Sequence, residues 1–163
     1  MKDKKNLTAR VILTVLTIAA IGMIFYNSSL SAVESTEQSS PLTDWINSIL
    51  ATFPIPFRVT ENFIRKMAHF SEYTVLGLLL STTVYQYRKD RKKTLLTALS
   101  IGALVAVCDE LIQIFPAGRS CQVTDMLIDT CGILFGTLLV LLFITIIDRI
   151  RKSKVTERRK VSK

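Results

Sequence analysis

Four long apolar blocks alternate with short polar stretches along the chain. The blocks run from about 11 to 26, 62 to 87, 94 to 115 and 124 to 147. A helix needs about 20 mostly apolar residues to cross a bilayer, and each block approaches or exceeds this length. The pattern therefore predicts an all-α, polytopic membrane bundle of four transmembrane helices.

A fifth, shorter pattern lies between the first and second blocks. The polar segment 31–40 predicts an exposed linker. Apolar residues then recur at helical spacing, which predicts an amphipathic helix over about 41–53, with Ser40 as N-cap, Pro41 in the first turn and Pro54 at its end. A tryptophan on its apolar face favours a helix lying in the outer membrane interface. Packing of that face on the bundle is the alternative.

Basic residues set the predicted orientation. All but four of the 21 Lys and Arg residues lie before the first block, between the second and third, or after the fourth. The positive-inside rule places such segments in the cytoplasm. We therefore expect both termini, including the basic tails 1–10 and 149–163, to be cytoplasmic, while 27–60 and 116–123 face outward. Hydrophobic residues make up 49% of the chain. Four spans of about 20 residues would use about half of the chain, and what is left over is too small for a separate soluble domain.

Some features of the sequence allow more than one interpretation. Small residues at Ser29 and Ser31 would suit a signal peptidase, so cleavage after the first block is an alternative to a retained span. The net charge of +8 comes from residues flanking apolar spans, where topology and anionic lipid account for it. We therefore predict membrane lipids, and no nucleic acid, as partners. Gly132 and Gly136 have the spacing of closely packed membrane helices, which we assign to contacts within one chain.

Ionisable and polar residues collect at the outward ends of the last three blocks, whose inward halves carry no charge. An Asp at a helix centre costs about 2.5 to 3.5 kcal/mol, whereas each large apolar residue returns only about 0.3 to 0.6 kcal/mol. We therefore expect these side chains to meet inside the bundle, in one polar layer beneath the outer face. The layer comprises Arg65, Lys66, His69, Glu72, Tyr73, Asp109, Glu110, Gln113, Arg119, Asp125 and Asp129.

The composition of this polar layer suggests its chemistry. Three cations oppose five carboxylates, which leaves room for a cation, a proton or a cationic ligand group. His69, Glu72, Asp109 and Glu110 are the candidate catalytic residues. His69 with Glu72, Asp109 and Asp129 also resembles a hard-metal site, but without a metal-binding motif this signal is weak, and we predict no cofactor. A purely structural network is the alternative.

Three stretches resemble the VanZ-like family of membrane proteins: RKMAHFSEYTVLG at 65–77, DELIQIFPAGR at 109–119 and DMLIDTCG at 125–132. The chain departs from many relatives at Ala117, which separates Pro116 from the Gly-Arg pair. The resemblance implies a bacterial cytoplasmic-membrane protein linked to low-level resistance to teicoplanin-type lipoglycopeptides. It implies no particular reaction. The matching residues are Lys66, His69, Glu72, Tyr73, Asp109, Glu110, Gln113, Arg119, Asp125, Asp129 and Gly132.

Three functions fit these features. In the leading hypothesis, an outer-leaflet polar pocket engages a lipid-linked wall precursor or the lipid-bearing antibiotic, with Arg65, Lys66 and Arg119 receiving an anionic head group. The first alternative is an intramembrane hydrolase or transferase in which His69 is the base or nucleophile. The second is a proton- or ion-coupled transporter, which the charge-free inward halves disfavour.

Overall fold

The computed structural model describes residues 2–53 and 56–161, with side chains for 6–53 and 56–154, and within these ranges it contains only α-helices. The predicted all-α class is therefore confirmed. Helix α3 is central, since it contacts all four others and packs most extensively on α5. The described parts of the basic tails continue the first and last helices. The helices are α1 (Lys2–Ser28), α2 (Ala32–Leu50), α3 (Glu61–Arg88), α4 (Arg91–Ile112) and α5 (Val123–Val161).

Three helices in the described ranges are long and apolar enough to cross a membrane: Asn6–Ser28, Arg91–Ile112 and Val123–Lys154. Helix α3 is not among them, because its outward half carries the charges of Arg65 and Glu72 together with their neighbours. Because α3 contacts all four other helices, neighbouring helices surround it. The crossing of α3, and with it the four-span arrangement, stays a prediction.

Glycines let α3 and α5 approach closely. A Cβ atom built on Gly132 would lie 2.6 Å from the carbonyl oxygen of Phe70, and one built on Gly77 would lie 2.5 Å from that of Ile133. Gly136 faces the backbone of α3 in the same way. The predicted role of the glycine pair in packing within one chain is therefore confirmed.

The four long helices enclose a small apolar core that adjoins the polar layer and shares Tyr73 with it, while the outer faces of α1 and α5 present large apolar side chains. Such faces suit contact with lipid. The core consists of Ile24, Tyr73, Leu76, Leu80, Ala98, Val105, Ala106 and Ile133.

Helix α2 begins earlier than predicted. Its N-cap is Ser31, not Ser40, so the segment 31–40 is not a linker. The Ser31 hydroxyl accepts the backbone N–H of Glu34 at 3.3 Å, while the Glu34 carboxylate accepts the backbone N–H of Ser31 at 2.8 Å. This reciprocal capping box satisfies donors at the helix start. The helix continues through Pro41, although proline removes one backbone hydrogen bond there.

The apolar side chains that recur along the second half of α2, here called its apolar stripe, are largely exposed. The helix ends at Leu50 rather than at 53, and the predicted terminator Pro54 lies outside the described residues. Trp45 is 61% exposed. This exposure argues against packing of the stripe on the bundle, and its location in the membrane interface stays a prediction. The exposed apolar residues are Leu42, Trp45, Ile49 and Phe53.

Candidate functional site

The ends of α3, α4 and α5 that are predicted to face outward bring together His69, Asp109 and Asp129. Nδ1 of His69 lies 3.6 Å from Oδ1 of Asp129 and 3.9 Å from Oδ2 of Asp109. One side-chain donor atom from each residue lies within 4.8 Å of the other two. Both aspartates are wholly buried, whereas the His69 side chain is 14% exposed. Residues from three helices thus converge at one depth, as their positions in the sequence indicated.

The end of α1 supplies two further side chains that the sequence analysis missed. Asn27 Nδ2 donates to Oε1 of Glu72 at 2.8 Å, and the Ser28 hydroxyl donates to Oδ1 of Asp109. Gln113 Nε2 donates to the other oxygen of Asp109 at 3.3 Å. Asn27 and Ser28 directly follow the first apolar block, which places them at the depth of the polar layer. Two polar residues at that point were the signal that could have found them.

Several buried polar atoms of this layer have no hydrogen-bond partner in the part of the chain that the structure describes. Both carboxylate oxygens of Asp129 belong to this set. Buried polar groups in proteins are nearly always hydrogen-bonded. The protein's own described groups therefore do not satisfy the layer. The other such atoms are Nδ1 of His69, Oη of Tyr73 and Oε1 of Glu110.

The lysine and arginine residues of the layer do not pair with its two wholly buried aspartates, Asp109 and Asp129. Lys66 Nζ lies 2.8 Å from Oδ1 of Asp125, an ion pair that the composition of the layer permits. Arg65 instead donates to the side-chain oxygen of Asn62 at 3.0 Å. Among the described residues, no carboxylate lies within 4.0 Å of Arg65 or Arg119.

Arg119 ties the loop after α4 to the end of α1. Its Nε and Nη2 atoms donate to the carbonyl oxygens of Leu30 and Asn27 at 3.2 and 3.4 Å, and Nη1 donates to Oε1 of Gln113 at 3.3 Å. Gly118 precedes it with a φ of +75°, which favours glycine. Burial lowers the pKa of Arg119, and the nearby positive charge of Arg65 lowers it further. The guanidinium nevertheless stays charged, because arginine does not deprotonate in proteins.

Glu110 holds the start of α5. Its Oε2 atom accepts the backbone N–H of Gln122 at 2.6 Å, and the residue is wholly buried. Gln122 directly precedes α5, whose first N–H groups favour a nearby negative charge. This contact fixes the loop before α5 to α4. The other carboxylate oxygen of Glu110 has no hydrogen-bond partner among the described residues.

A cavity of about 220 Å³ opens at this outward end. Arg65 and Arg119 border it, and His69 and Glu72 also line it. The first half of α2 covers one side with small polar side chains. The predicted site residues that do not line this cavity are Lys66, Tyr73, Asp109, Glu110, Gln113, Asp125 and Asp129. The predicted site residues therefore divide into a cavity lining and a group outside it. His69 belongs to the lining, and with the wholly buried Asp109 and Asp129 it forms the buried cluster of the site.

A larger cavity of about 670 Å³ lies at the other end of the bundle, between α3 and α5. Its walls are mainly apolar, with Lys89, Asp148 and Arg151 among the few charged side chains that line it. It contains none of the residues of the polar layer. We therefore place the candidate site at the smaller cavity, where the ionisable groups converge.

The sequence profile of the VanZ/LLP1 family matches residues 13–144. The matched range runs from α1 into α5 and includes every residue of the polar layer. No curated protein and no solved structure matches the chain significantly. The profile covers far more than half of the chain and includes the three stretches that carry the resemblance. The chain therefore belongs to the VanZ/LLP1 family, whose members are membrane-associated proteins.

Proposed function

We propose that this chain is a multi-pass protein of the bacterial cytoplasmic membrane, with both termini in the cytoplasm, that binds an anionic lipid-linked envelope ligand in its outward cavity. Through this binding it contributes to resistance to teicoplanin-type lipoglycopeptides. One observation carries the proposal: Arg65 and Arg119 border one cavity, and among the described residues neither lies within 4.0 Å of a carboxylate.

Two unpaired guanidinium groups favour a phosphate-bearing ligand. A guanidinium presents five N–H donors in a planar fork that fits phosphate oxygens in a bidentate way. Arg119 makes three contacts with neutral acceptors, all between 3.2 and 3.4 Å, so it keeps donors for a ligand. Arg65 makes one contact with a neutral amide oxygen. An anionic head group would supply the charge that both lack.

The size of the cavity favours a head group over an antibiotic scaffold. A volume of about 220 Å³ lies below the range of about 300 to 1,000 Å³ in which drug-sized ligands bind. A glycopeptide antibiotic is larger than a drug-sized ligand, so its scaffold does not fit this volume. The exposed apolar stripe of α2 continues from the cavity wall and suits contact with a lipid tail. We therefore favour the lipid-linked wall precursor over the antibiotic as the ligand.

Binding of a polyprenyl pyrophosphate to the purified full-length protein tests this proposal. Native mass spectrometry and a titration in mild detergent would compare wild type with Arg65→Ala. The variant loses a charge-assisted contact worth about 1.5 to 3 kcal/mol, so we expect affinity to fall at least tenfold. Arg58→Ala is the matched control, because Arg58 is an exposed arginine just before α3 that does not line the cavity.

The same variants should be compared for teicoplanin resistance in a susceptible host at equal membrane abundance. We expect Arg65→Ala and Arg119→Ala to reduce resistance and Arg58→Ala to retain it. Full binding and full resistance in both cavity variants would overturn the proposal. Arg119 also ties the loop to α1, so its replacement can prevent folding. If Arg119→Ala fails to accumulate, the result with Arg65→Ala decides the test.

An intramembrane hydrolase or transferase is the second candidate. The position of His69 favours it, because this side chain lines the cavity while Nδ1 faces two buried aspartates. A neighbouring carboxylate orients an imidazole and supports its action as a base. Release of phosphate from polyprenyl pyrophosphate by wild type, lost in His69→Ala with binding retained, would establish this function. Binding without turnover leaves the first proposal standing alone.

A further inference from the structure

We infer that His69, Asp109 and Asp129 form a binding site for one divalent transition-metal ion, with Zn²⁺ the ion that suits them best. One imidazole nitrogen and two carboxylate oxygens, each from a different helix, point into a common space. Imidazole and carboxylate together are ligands that zinc accepts, whereas Ca²⁺ and Mg²⁺ prefer oxygen ligands alone.

The distances suit a metal of this size. Tetrahedral zinc, with bonds of about 2.0 to 2.2 Å, separates its ligand atoms by about 3.3 to 3.6 Å. Nδ1 of His69 lies 3.6 Å from Oδ1 of Asp129, which already agrees with this geometry. The 3.9 Å to Oδ2 of Asp109 requires a contraction of only a few tenths of an ångström. The ligand oxygens of the two aspartates lie within 4.8 Å of each other, so binding would also draw these two atoms together.

The hydrogen bonding supports a ligand independently of these distances. Asp129 is wholly buried, and neither of its carboxylate oxygens has a hydrogen-bond partner among the described residues. Nδ1 of His69 also has none. A buried carboxylate normally accepts several hydrogen bonds or coordinates a metal. The unsatisfied atoms of Asp129 and His69 are the ones that face each other.

The charges lead to the same conclusion. In the part of the chain with described side chains, His69 is the only basic group within 4.0 Å of Asp109 or Asp129. Two carboxylates opposite one imidazole leave an excess of negative charge in a buried place. A dication neutralises both carboxylates and keeps His69 in the neutral form that ligation requires.

Neighbouring groups donate hydrogen bonds to Asp109, as is usual around metal ligands. The hydroxyl of Ser28 and the amide of Gln113 each donate to this carboxylate. Such second contacts fix the orientation of a ligand. Three protein ligands leave a fourth coordination position, which we expect to lie toward the outward cavity because His69 lines that cavity. Occupation of this position by a phosphate oxygen rests on the proposed function, whereas the metal site itself does not.

The test measures metal uptake by chelator-treated, full-length protein in mild detergent, with no lipid added. We expect one Zn²⁺ ion per chain by elemental analysis, and Co²⁺ to give the visible absorption of a four-coordinate site with nitrogen and oxygen ligands. His69→Ala and Asp129→Asn should each lower Zn²⁺ affinity at least tenfold. Glu61→Gln, an exposed carboxylate on the same helix as His69, should bind as wild type does.

Three results would overturn the inference: monodisperse wild-type protein that takes up neither Zn²⁺ nor Co²⁺, six-coordinate Co²⁺ with oxygen ligands only, or unchanged affinity in both variants. If the variants fail to fold, the wild-type stoichiometry and the Co²⁺ spectrum decide. Zinc uptake without binding of polyprenyl pyrophosphate keeps the metal site and defeats the proposed function. Binding of polyprenyl pyrophosphate without metal uptake supports the proposed function and overturns the metal site.

Discussion

Replacing Gly132 by alanine should weaken the contact between α3 and α5 on which the buried cluster depends. The new Cβ atom would lie 2.6 Å from the carbonyl oxygen of Phe70 and 3.0 Å from Cβ of Tyr73, and neither neighbour is the flexible end of a side chain. Restoring an ordinary contact of 3.4 Å requires the helices to separate by about 0.8 Å. Overpacking of this kind costs about 1 to 3 kcal/mol.

The free energy of unfolding, measured by titrating SDS into detergent micelles, tests this prediction. Gly22→Ala is the matched control, because a Cβ atom at Gly22 meets nothing within 4 Å. We expect that control to equal or exceed wild type, since alanine favours helix over glycine by about 1 kcal/mol. The separation should also widen the 3.6 Å between His69 and Asp129 and weaken zinc binding. Wild-type stability in Gly132→Ala would refute the close approach of the two helices.

Further predictions address the ion pair, the cap of α2 and the topology. The side chains of Lys66 and Asp125 are 28% and 11% exposed. A double-mutant cycle should therefore give a coupling free energy of about 0.5 to 3 kcal/mol, and a coupling free energy of zero would contradict the ion pair. Ser31→Ala should destabilise α2 by about 0.5 to 2 kcal/mol, seen as faster amide exchange there; unchanged exchange speaks against the capping box. Hydrogen bonds from Ser31 lower the pKa of Glu34 from its ordinary 4.5. The contribution of the cap is therefore full above pH 4.5 and is lost as pH falls through the lowered pKa. Exposed Cys121 should react with a membrane-impermeant maleimide on intact cells, whereas Cys121→Ser should not; no reaction with the wild type would place that loop inside.

The long helices could be predicted from the sequence because an apolar run fixes a helix when it is long enough. The extent of α2 was not predicted, although its signature was present. Ser31 and Glu34 have the spacing of a capping box, but Pro41 favoured a later start, since proline is common in a first helical turn. The structure keeps the proline inside the helix, and the cap at Ser31 offsets part of its cost.

The depth of the polar layer was also predictable, whereas its pairing was not. Counting residues from the end of a span places His69 and Asp129 at one level. Which charges meet depends on how the helices rotate and on their lateral order, and spacing alone does not determine either. The composition of the layer permitted Arg119 to pair with a carboxylate, whereas in the structure it donates to carbonyl oxygens at the end of α1. Ser28 was not expected to contact Asp109 at all.

The separation of charge in the site has a consequence that can be measured. Arginines border the cavity and aspartates lie beneath it, yet they do not pair, although pairing would offset the cost of burying both. A phosphate coordinated to a metal ion would satisfy both sets at once. Zn²⁺ should therefore tighten the binding of polyprenyl pyrophosphate, and the lipid should tighten zinc binding by the same factor, because linkage is reciprocal. Titrations of each in the presence of the other measure this factor. Equal affinities with and without zinc would show that the two ligands bind independently.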